Sequence, residues 1–100
     1  REASASVYGN LGVLYNKQGK LDQAGDAHAK SLAIETELGR RDGMAADNGN
    51  LAILRAQQGR LPEARQHAGT ARALYAEMGM DRDVAKAEAL LEQIDAAMRG

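Results

Sequence analysis

An internal repeat is the feature that most constrains how this 100-residue chain can fold. The stretch GNLGVLYNKQGKLDQA begins at Gly9, and GNLAILRAQQGRLPEA begins forty residues later at Gly49. Aligning residues 9–39 with 49–79 gives eleven identities in thirty-one positions, and a weaker third copy begins where Ala85 matches Ala45. A repeat of this length is one supersecondary unit, which buries its apolar face only against a neighbouring unit. The chain is therefore predicted to be a stack of repeats.

Composition identifies the repeated unit as helical. Ala supplies 20 residues and Leu 11, Pro occurs once, and Phe, Trp and Cys are absent. Such side chains favour helix nearly everywhere, and a glycine readily adopts the left-handed conformation that closes a helix. The predicted helices are about 4–18, 22–38, 43–58, 62–78 and 83–98, and the first four are closed by Gly19, Gly39, Gly59 and Gly79. Pro62 suits a first helical turn, and Asp81 or Asp83 is expected to cap the fifth helix.

The spacing of apolar residues predicts which helix faces meet. At 100° per residue, one side of the first helix carries Val7, Leu11, Leu14, Tyr15 and Gln18. The corresponding stripe on the second helix is Leu21, Ala24, His28, Ser31, Leu32 and Leu38, with Asp26, Lys30 and Glu37 opposite. Small residues are predicted where paired helices approach closely, namely Gly12 with Ala24 and, in the next unit, Ala52 with Ala64. Stacked pairs of this kind form a superhelical solenoid.

The first unit contains the run Tyr8-x-Asn10-Leu11-Gly12-x-x-Tyr15-x-x-x-Gly19-x-x-x-x-Ala24. This run resembles the signature of the tetratricopeptide repeat. The second unit keeps Asn50, Leu51, Gly59 and Ala64 but has Asn48, Ala52 and Arg55 in place of the aromatic, Gly and Tyr residues. The repeat length here is 40 residues, whereas the standard repeat has about 34. The segment HAKSLAIETELGRRDGMA, from His28, resembles the longer variety found in kinesin light chains and G-protein signalling modulators.

This resemblance implies an all-α fold, a right-handed α-α superhelix with two full helix-turn-helix repeats and one C-terminal helix. The implied organisation is a single domain over 1–100, with repeat 1 at about 3–42, repeat 2 at about 43–82 and a half repeat or capping helix at about 83–98. Because the sequence begins at Arg1 without a Met, we expect a fragment of a longer protein.

Charge and composition argue against several classes of function. A net charge of −1 does not suit a nucleic-acid partner, because phosphate binding depends on clustered Lys and Arg. No apolar run approaches the roughly 20 residues that span a bilayer, so we expect no membrane partner. The absence of Cys removes disulfides and thiolate metal sites and fits a reducing compartment. We therefore expect a cytoplasmic protein without a cofactor or a metal.

The residues that could carry catalysis have ordinary structural interpretations. His28 lies within an apolar stripe, where packing is the expected role, and His67 is one position out of register with it. Neither histidine has a second metal ligand four residues later, since Leu32 and Ala71 occupy those positions. Carboxylate pairs such as Glu88 with Glu92 are expected on solvated surfaces, where acid–base catalysis gains no perturbed pKa. We predict that the chain is not an enzyme.

The predicted concave groove carries the candidate binding residues. Asn10 and Asn50 recur at one repeat position, and in the resembling families this Asn holds the backbone of a bound peptide. An amide both donates and accepts hydrogen bonds, which suits that task; the alternative is that both Asn side chains fix the stacking of repeats. The third copy departs from the pattern, with Leu90 at this position. The full candidate set is Asn10, Val13, Lys17, Asn50, Ile53, Gln57, Lys86 and Gln93.

These observations predict a protein–protein interaction scaffold that binds a peptide or a partner helix in its concave groove. The alternative is a structural, oligomerising or sensing arm of a larger regulatory protein. The fifth helix also has an apolar stripe of Leu90, Leu91, Ile94 and Met98. Exposed apolar surface attracts partners, so self-association through this helix is one expectation. The alternative is that Lys86, Glu92 and Arg99 shield the stripe and leave a monomer.

Overall fold

Five α-helices follow one another through the chain in a computed structural model that describes residues 4–100. The helices are α1 (Ala5–Lys17), α2 (Leu21–Leu38), α3 (Arg41–Gln57), α4 (Leu61–Glu77) and α5 (Asp81–Arg99). Each helix packs against the next, and α3 also contacts α5. The described residues contain no strand, so the predicted all-α repeat fold is confirmed. The predicted start of repeat 1 at residue 3 lies outside the described residues.

The turns between helices repeat every 20 residues with the same backbone hydrogen bonds. The four predicted closing glycines have positive φ angles of 77°, 69°, 77° and 70°. After α1, the Gly19 amide donates to the Asn16 carbonyl and the Lys20 amide donates to the Tyr15 carbonyl, at 3.0 and 2.9 Å. These two bonds define a Schellman motif, which satisfies carbonyls that the end of a helix leaves free. The prediction of glycine helix ends is confirmed.

The prediction of an acidic cap on α5 is wrong. The N-cap is Met80, which makes no side-chain capping bond, and Asp81 and Asp83 lie within the first turn. The reason is the repeated turn: the Met80 amide closes α4 by donating to the Tyr75 carbonyl at 2.9 Å. The Met80 carbonyl then accepts from the Val84 amide and starts α5. The two aspartates can still interact favourably with the positive end of the helix dipole.

The stripe predicted on α1 is largely exposed, which corrects the predicted packing face. Val7 and Leu14 are 47% and 49% exposed, whereas the buried residues of α1 are Ala5 and Gly12. The counterparts of Leu14 forty and eighty residues later, Leu54 and Ile94, are fully buried. Helices α3 and α5 bury this side against the helix that precedes them, whereas α1 packs along α2 with a different side.

The stripe predicted on α2 is confirmed in its centre and wrong at its end. Ala24, His28 and Ser31 are buried, while Leu38, in the last turn, is exposed. The residues expected on the opposite side, Asp26, Lys30 and Glu37, are exposed. Ala27 is also buried, because the contact surface extends to both neighbouring helices.

Alanines form the central core of the second repeat. The buried cluster consists of Ala52, Ala64, Ala68 and Ile94, with Ala56, Leu61, Leu90 and Leu91 packed against it. Ala52 and Ala64 are fully buried in this cluster, as their small size predicted. The side chain of alanine ends at Cβ, so two helices that meet through alanines can bring their axes close together. The cluster covers most of the apolar stripe of α5, and Met98 is the one strongly exposed residue of that stripe.

The contact between α1 and α2 depends on the absence of a side chain at Gly12. A Cβ atom placed there would lie 2.5 Å from His28 Nε2, so the ring of His28 packs directly against Gly12. Forty residues later, the equivalent positions are Ala52 and Ala68, both fully buried. One repeat therefore combines a glycine with an imidazole where the next combines two methyl groups. This arrangement supports the packing role expected for His28.

We predict that the effect of Gly12→Ala on stability changes sign with residue 28. In the native chain the new methyl group overlaps the buried imidazole, and overpacking costs about 1–3 kcal/mol. In a His28→Ala background the overlap is gone, and the helix preference of Ala over Gly should stabilise by about 0.5–1 kcal/mol. Urea unfolding of the four proteins measures both effects.

Gly69→Ala is the matched control, because a Cβ at this helical glycine meets nothing within 4 Å. It should stabilise both backgrounds equally. An identical effect of Gly12→Ala with and without His28 would show that the two residues do not contact each other.

Candidate functional site

A large open cleft lies between α3, α4 and α5, with a volume of about 750 Å³. The first and third of these helices form its walls, where Ile53 and Lys86 are exposed. Its floor is apolar and buried, consisting of Ala68, Ala71 and Ala87. The volume falls within the roughly 300–1,000 Å³ of typical ligand sites. We call this feature the large cleft.

A second cleft lies between α1, α2 and α3, with a volume of about 170 Å³. It is lined by Val13, Asn16, Lys17, His28, Asn50 and Ile53. Asn16 Nδ2 donates a hydrogen bond to Gln57 Oε1 at 3.1 Å and thereby joins α1 to α3 on this side. We call this feature the small cleft. The two clefts adjoin, because Asn50 and Ile53 line both.

Seven of the eight residues predicted for the groove line these clefts. The large cleft contains Asn50, Ile53, Gln57, Lys86 and Gln93. The small cleft adds Val13 and Lys17. Asn10 lines neither and is exposed on α1. The two asparagines that occupy one repeat position thus have different surroundings, and whether any of these residues binds a partner stays a prediction.

Sequence reasoning missed the floor and one end of the large cleft. Tyr75 and Asp83 line it together, and burial raises the pKa of the Tyr75 phenol, with the nearby Asp83 and Asp47 carboxylates adding to the rise. A neutral phenol can both donate and accept a hydrogen bond. The 40-residue period is the sequence signal that could have identified these residues, because it pairs each residue with an equivalent residue forty positions away.

A buried carboxylate between α2 and α3 was also missed. The Ser31 hydroxyl donates to Asp47 Oδ2 at 2.7 Å, and both side chains are buried. Burial raises the pKa of Asp47 and the Glu35 carboxylate raises it further, while the bond from Ser31 lowers it. The equivalents forty residues later are Ala71 and Ala87, which line the large cleft. A polar pair thus fills, between α2 and α3, the position that stays open between α4 and α5.

The two histidines have structural surroundings. Burial lowers the pKa of His28, and its Nδ1 has no hydrogen-bond partner within the described residues. His67 Nδ1 lies 2.9 Å from Asn48 Oδ1, which requires the ring nitrogen to carry the proton. Burial lowers the pKa of His67, Arg55 lowers it further and Glu63 opposes this. Both rings are therefore favoured in their neutral form at physiological pH.

Two further observations concern other kinds of site. No group of three or more His, Asp or Glu residues among positions 4–100 is arranged to hold a metal ion. In the same part of the chain, none of the helices combines the length and the apolar character that crossing a membrane requires.

A family model described as a tetratricopeptide repeat matches residues 3–77. This range covers three quarters of the chain and includes α1 to α4. No curated protein shows significant similarity to the sequence.

We predict that Asp47→Asn stabilises the protein at pH 7 and that the gain shrinks as the pH falls. Because the pKa of Asp47 is raised, the folded state favours the protonated carboxyl. At a pH above this raised pKa, the ionised carboxylate of Asp47 therefore destabilises the folded protein. This penalty disappears as the pH approaches the ordinary Asp value of about 4. An amide removes the charge and can still bond to Ser31.

Urea unfolding of both proteins at pH 7 and pH 4 tests this. The histidines are common to both, so the difference isolates residue 47. Asp26→Asn, at an exposed position of α2, is the control and should show a small difference at either pH. A loss of stability in Asp47→Asn that is equal at both pH values would contradict the prediction.

Proposed function

The chain belongs to the tetratricopeptide repeat family, and we propose that it is a non-catalytic scaffold whose two clefts bind a segment of a partner protein. Repeats of this family generally mediate protein–protein interaction. The observation that carries the proposal is the adjoining pair of clefts, because they share Asn50 and Ile53 and form one continuous surface. A peptide or a helix that crosses both clefts can therefore contact α1, α3 and α5 at once.

Exposed apolar side chains on this surface support the proposal. Val13 and Ile53 are 45% and 46% exposed and lie on the walls of the clefts. Scattered apolar residues are ordinary on a surface, but apolar groups gathered in a concavity with convergent polar groups characterise binding sites. Asn50 supplies an amide at the centre of the surface, where it can pair with a peptide unit irrespective of the partner's sequence.

The repeat boundaries, the variety of repeat and the cellular location predicted from the sequence are part of this proposal. Two full repeats at about 3–42 and 43–82, and a half repeat at about 83–98, agree with the 20-residue spacing of the turns. The 40-residue period supports the longer variety of repeat found in kinesin light chains. A cytoplasmic location accords with the lack of Cys.

Self-association through α5 is a second interaction that the sequence predicts. Ile94 is buried against the alanine cluster, so the exposed Met98 is the main apolar group that this helix can offer to another copy. One exposed side chain is a small contact for a stable dimer. The clefts therefore have the stronger support as the interaction surface.

We predict that Asn50→Ala weakens binding of a partner peptide about tenfold and leaves the melting temperature nearly unchanged. Loss of a hydrogen-bonded amide from a desolvated contact costs about 1–1.5 kcal/mol, which corresponds to that factor. The peptide is one selected on the native protein from a random display library. Its affinity is then measured by isothermal titration calorimetry.

Two variants complete this experiment. Asn10→Ala should retain affinity, because Asn10 lies outside both clefts. Asp26→Ala on the exposed side of α2 is a control for nonspecific loss. A lower melting temperature for Asn50→Ala, with unchanged affinity of the folded protein, would instead assign Asn50 to the stacking of repeats.

A further inference from the structure

The two clefts are one site that occurs twice. Adding 40 to the number of each residue that lines the small cleft gives a residue that lines the large cleft. The pairs are Val13 and Ile53, Asn16 and Ala56, Lys17 and Gln57, His28 and Ala68, Asn50 and Leu90, and Ile53 and Gln93. All six positions correspond, so the difference between the clefts comes from side chains and not from a different arrangement of helices.

The chemistry of the two clefts differs at five of these positions, and at one of them the apolar Ile53 of the small cleft corresponds to the polar Gln93 of the large cleft. Asn16, Lys17, His28 and Asn50 give the small cleft polar groups, among them hydrogen-bond donors and one cation. Their counterparts in the large cleft include Ala56, Ala68 and Leu90, which are apolar. Lys86 and Asp83 bring one charge of each sign to the large cleft.

The two clefts differ in volume because the residues of their floors differ. His28 is almost completely buried and places an imidazole where the next repeat has the methyl group of Ala68. Gly12 makes room for that imidazole, as the 2.5 Å distance to a Cβ placed there shows. The large cleft extends further along α4 and α5 because Ala71 and Ala87 replace the bonded pair of Ser31 and Asp47.

We propose that the residue at positions 28 and 68 determines which cleft accepts a bulky apolar side chain of the partner. The occupant is a protein segment that inserts a Leu, Met or aromatic side chain into the large cleft and presents a hydrogen-bond acceptor to the small cleft. Complementarity supports this occupant, because the large cleft has the apolar floor and the small cleft has the donors of Asn16 and Lys17. The inference rests on the proposed function and specifies the chemistry of the partner.

Two double variants that exchange the packing pairs test the proposal. Ala52→Gly with Ala68→His gives the large cleft the pair found at Gly12 and His28, and Gly12→Ala with His28→Ala does the reverse. Circular dichroism and thermal melting establish that each variant is folded. If the first pair prevents folding, the reverse pair carries the test, because it gives the small cleft the methyl groups found at Ala52 and Ala68. A reverse variant that is folded but shows no added toluene shift at Val13 would then overturn the inference.

Toluene is the first probe, and methyl NMR reports where it binds. On the native protein we expect saturable shifts at Ala71 and Leu90 and none at Val13. Ala52→Gly with Ala68→His should weaken the binding of toluene tenfold or more, since burial of a large apolar side chain contributes that much or more. Gly12→Ala with His28→Ala should add a shift at Val13. Equal binding at Ala71 in the native and the histidine-containing protein would overturn the inference.

Peptides selected on the native protein from a random display library are the second probe. We expect a bulky apolar residue in the selected sequences and a tenfold or greater loss of affinity for Ala52→Gly with Ala68→His. Peptides that bind the native protein and this variant equally would overturn the inference and leave the proposed function standing. If the native protein selects no peptide, the proposed function fails, and the partner chemistry inferred from it fails with it.

Discussion

The close approach of each helix to the next governs both the fold and the surface it presents. At the contact of α1 with α2, Gly12 leaves room for the ring of His28, and in the following repeat Ala52 and Ala68 are both fully buried. Dense interiors tolerate little change in volume, so the residue opposite a small side chain is closely specified. The same contacts set the depth of the clefts, because His28 and Ala68 form their floors.

Helix positions were predictable from the sequence because local signals determine them. The closing glycines have positive φ, and a Schellman turn recurs every 20 residues. The same regularity explains the failed cap prediction, since the turn places Met80 at the start of α5 whatever acidic residues follow. The apolar stripe of α1 failed for another reason. Periodicity identifies an apolar side but not the neighbour that covers it, and Leu14 is exposed where Leu54 is buried.

The candidate site was predictable on its walls and not on its floor. Exposed residues such as Lys17, Gln57 and Gln93 stand out in a repeat comparison, and they do line the clefts. Ala68 and Ala71 attract no attention in a chain with 20 alanines, although they line the large cleft of about 750 Å³. The burial of Asp47 was equally hard to predict, because Asp47 accepts a hydrogen bond from Ser31, which lies in another helix.

A repeat protein can diversify its binding surface without changing its architecture. Here the packing pair differs between the repeats, and Asn50 occupies the position that Leu90 has in the next repeat, so two neighbouring clefts of one architecture differ in volume and in side-chain chemistry. Binding sites that differ in this way fix the register of a bound segment, because a shift by one repeat would desolvate polar groups without partners. A segment bound across the adjoining clefts thereby gains contact area and is held in one register and one direction.

The equivalent helix contacts of the two repeats carry different residues in the same register. Nuclear Overhauser effects in the unliganded protein measure this. We expect cross-peaks between the Gly12 Hα protons and the His28 ring protons, and between the methyl groups of Ala52 and Ala68. Absence of cross-peaks from Gly12 to the ring of His28, with that ring in contact with solvent, would show that the contact does not exist.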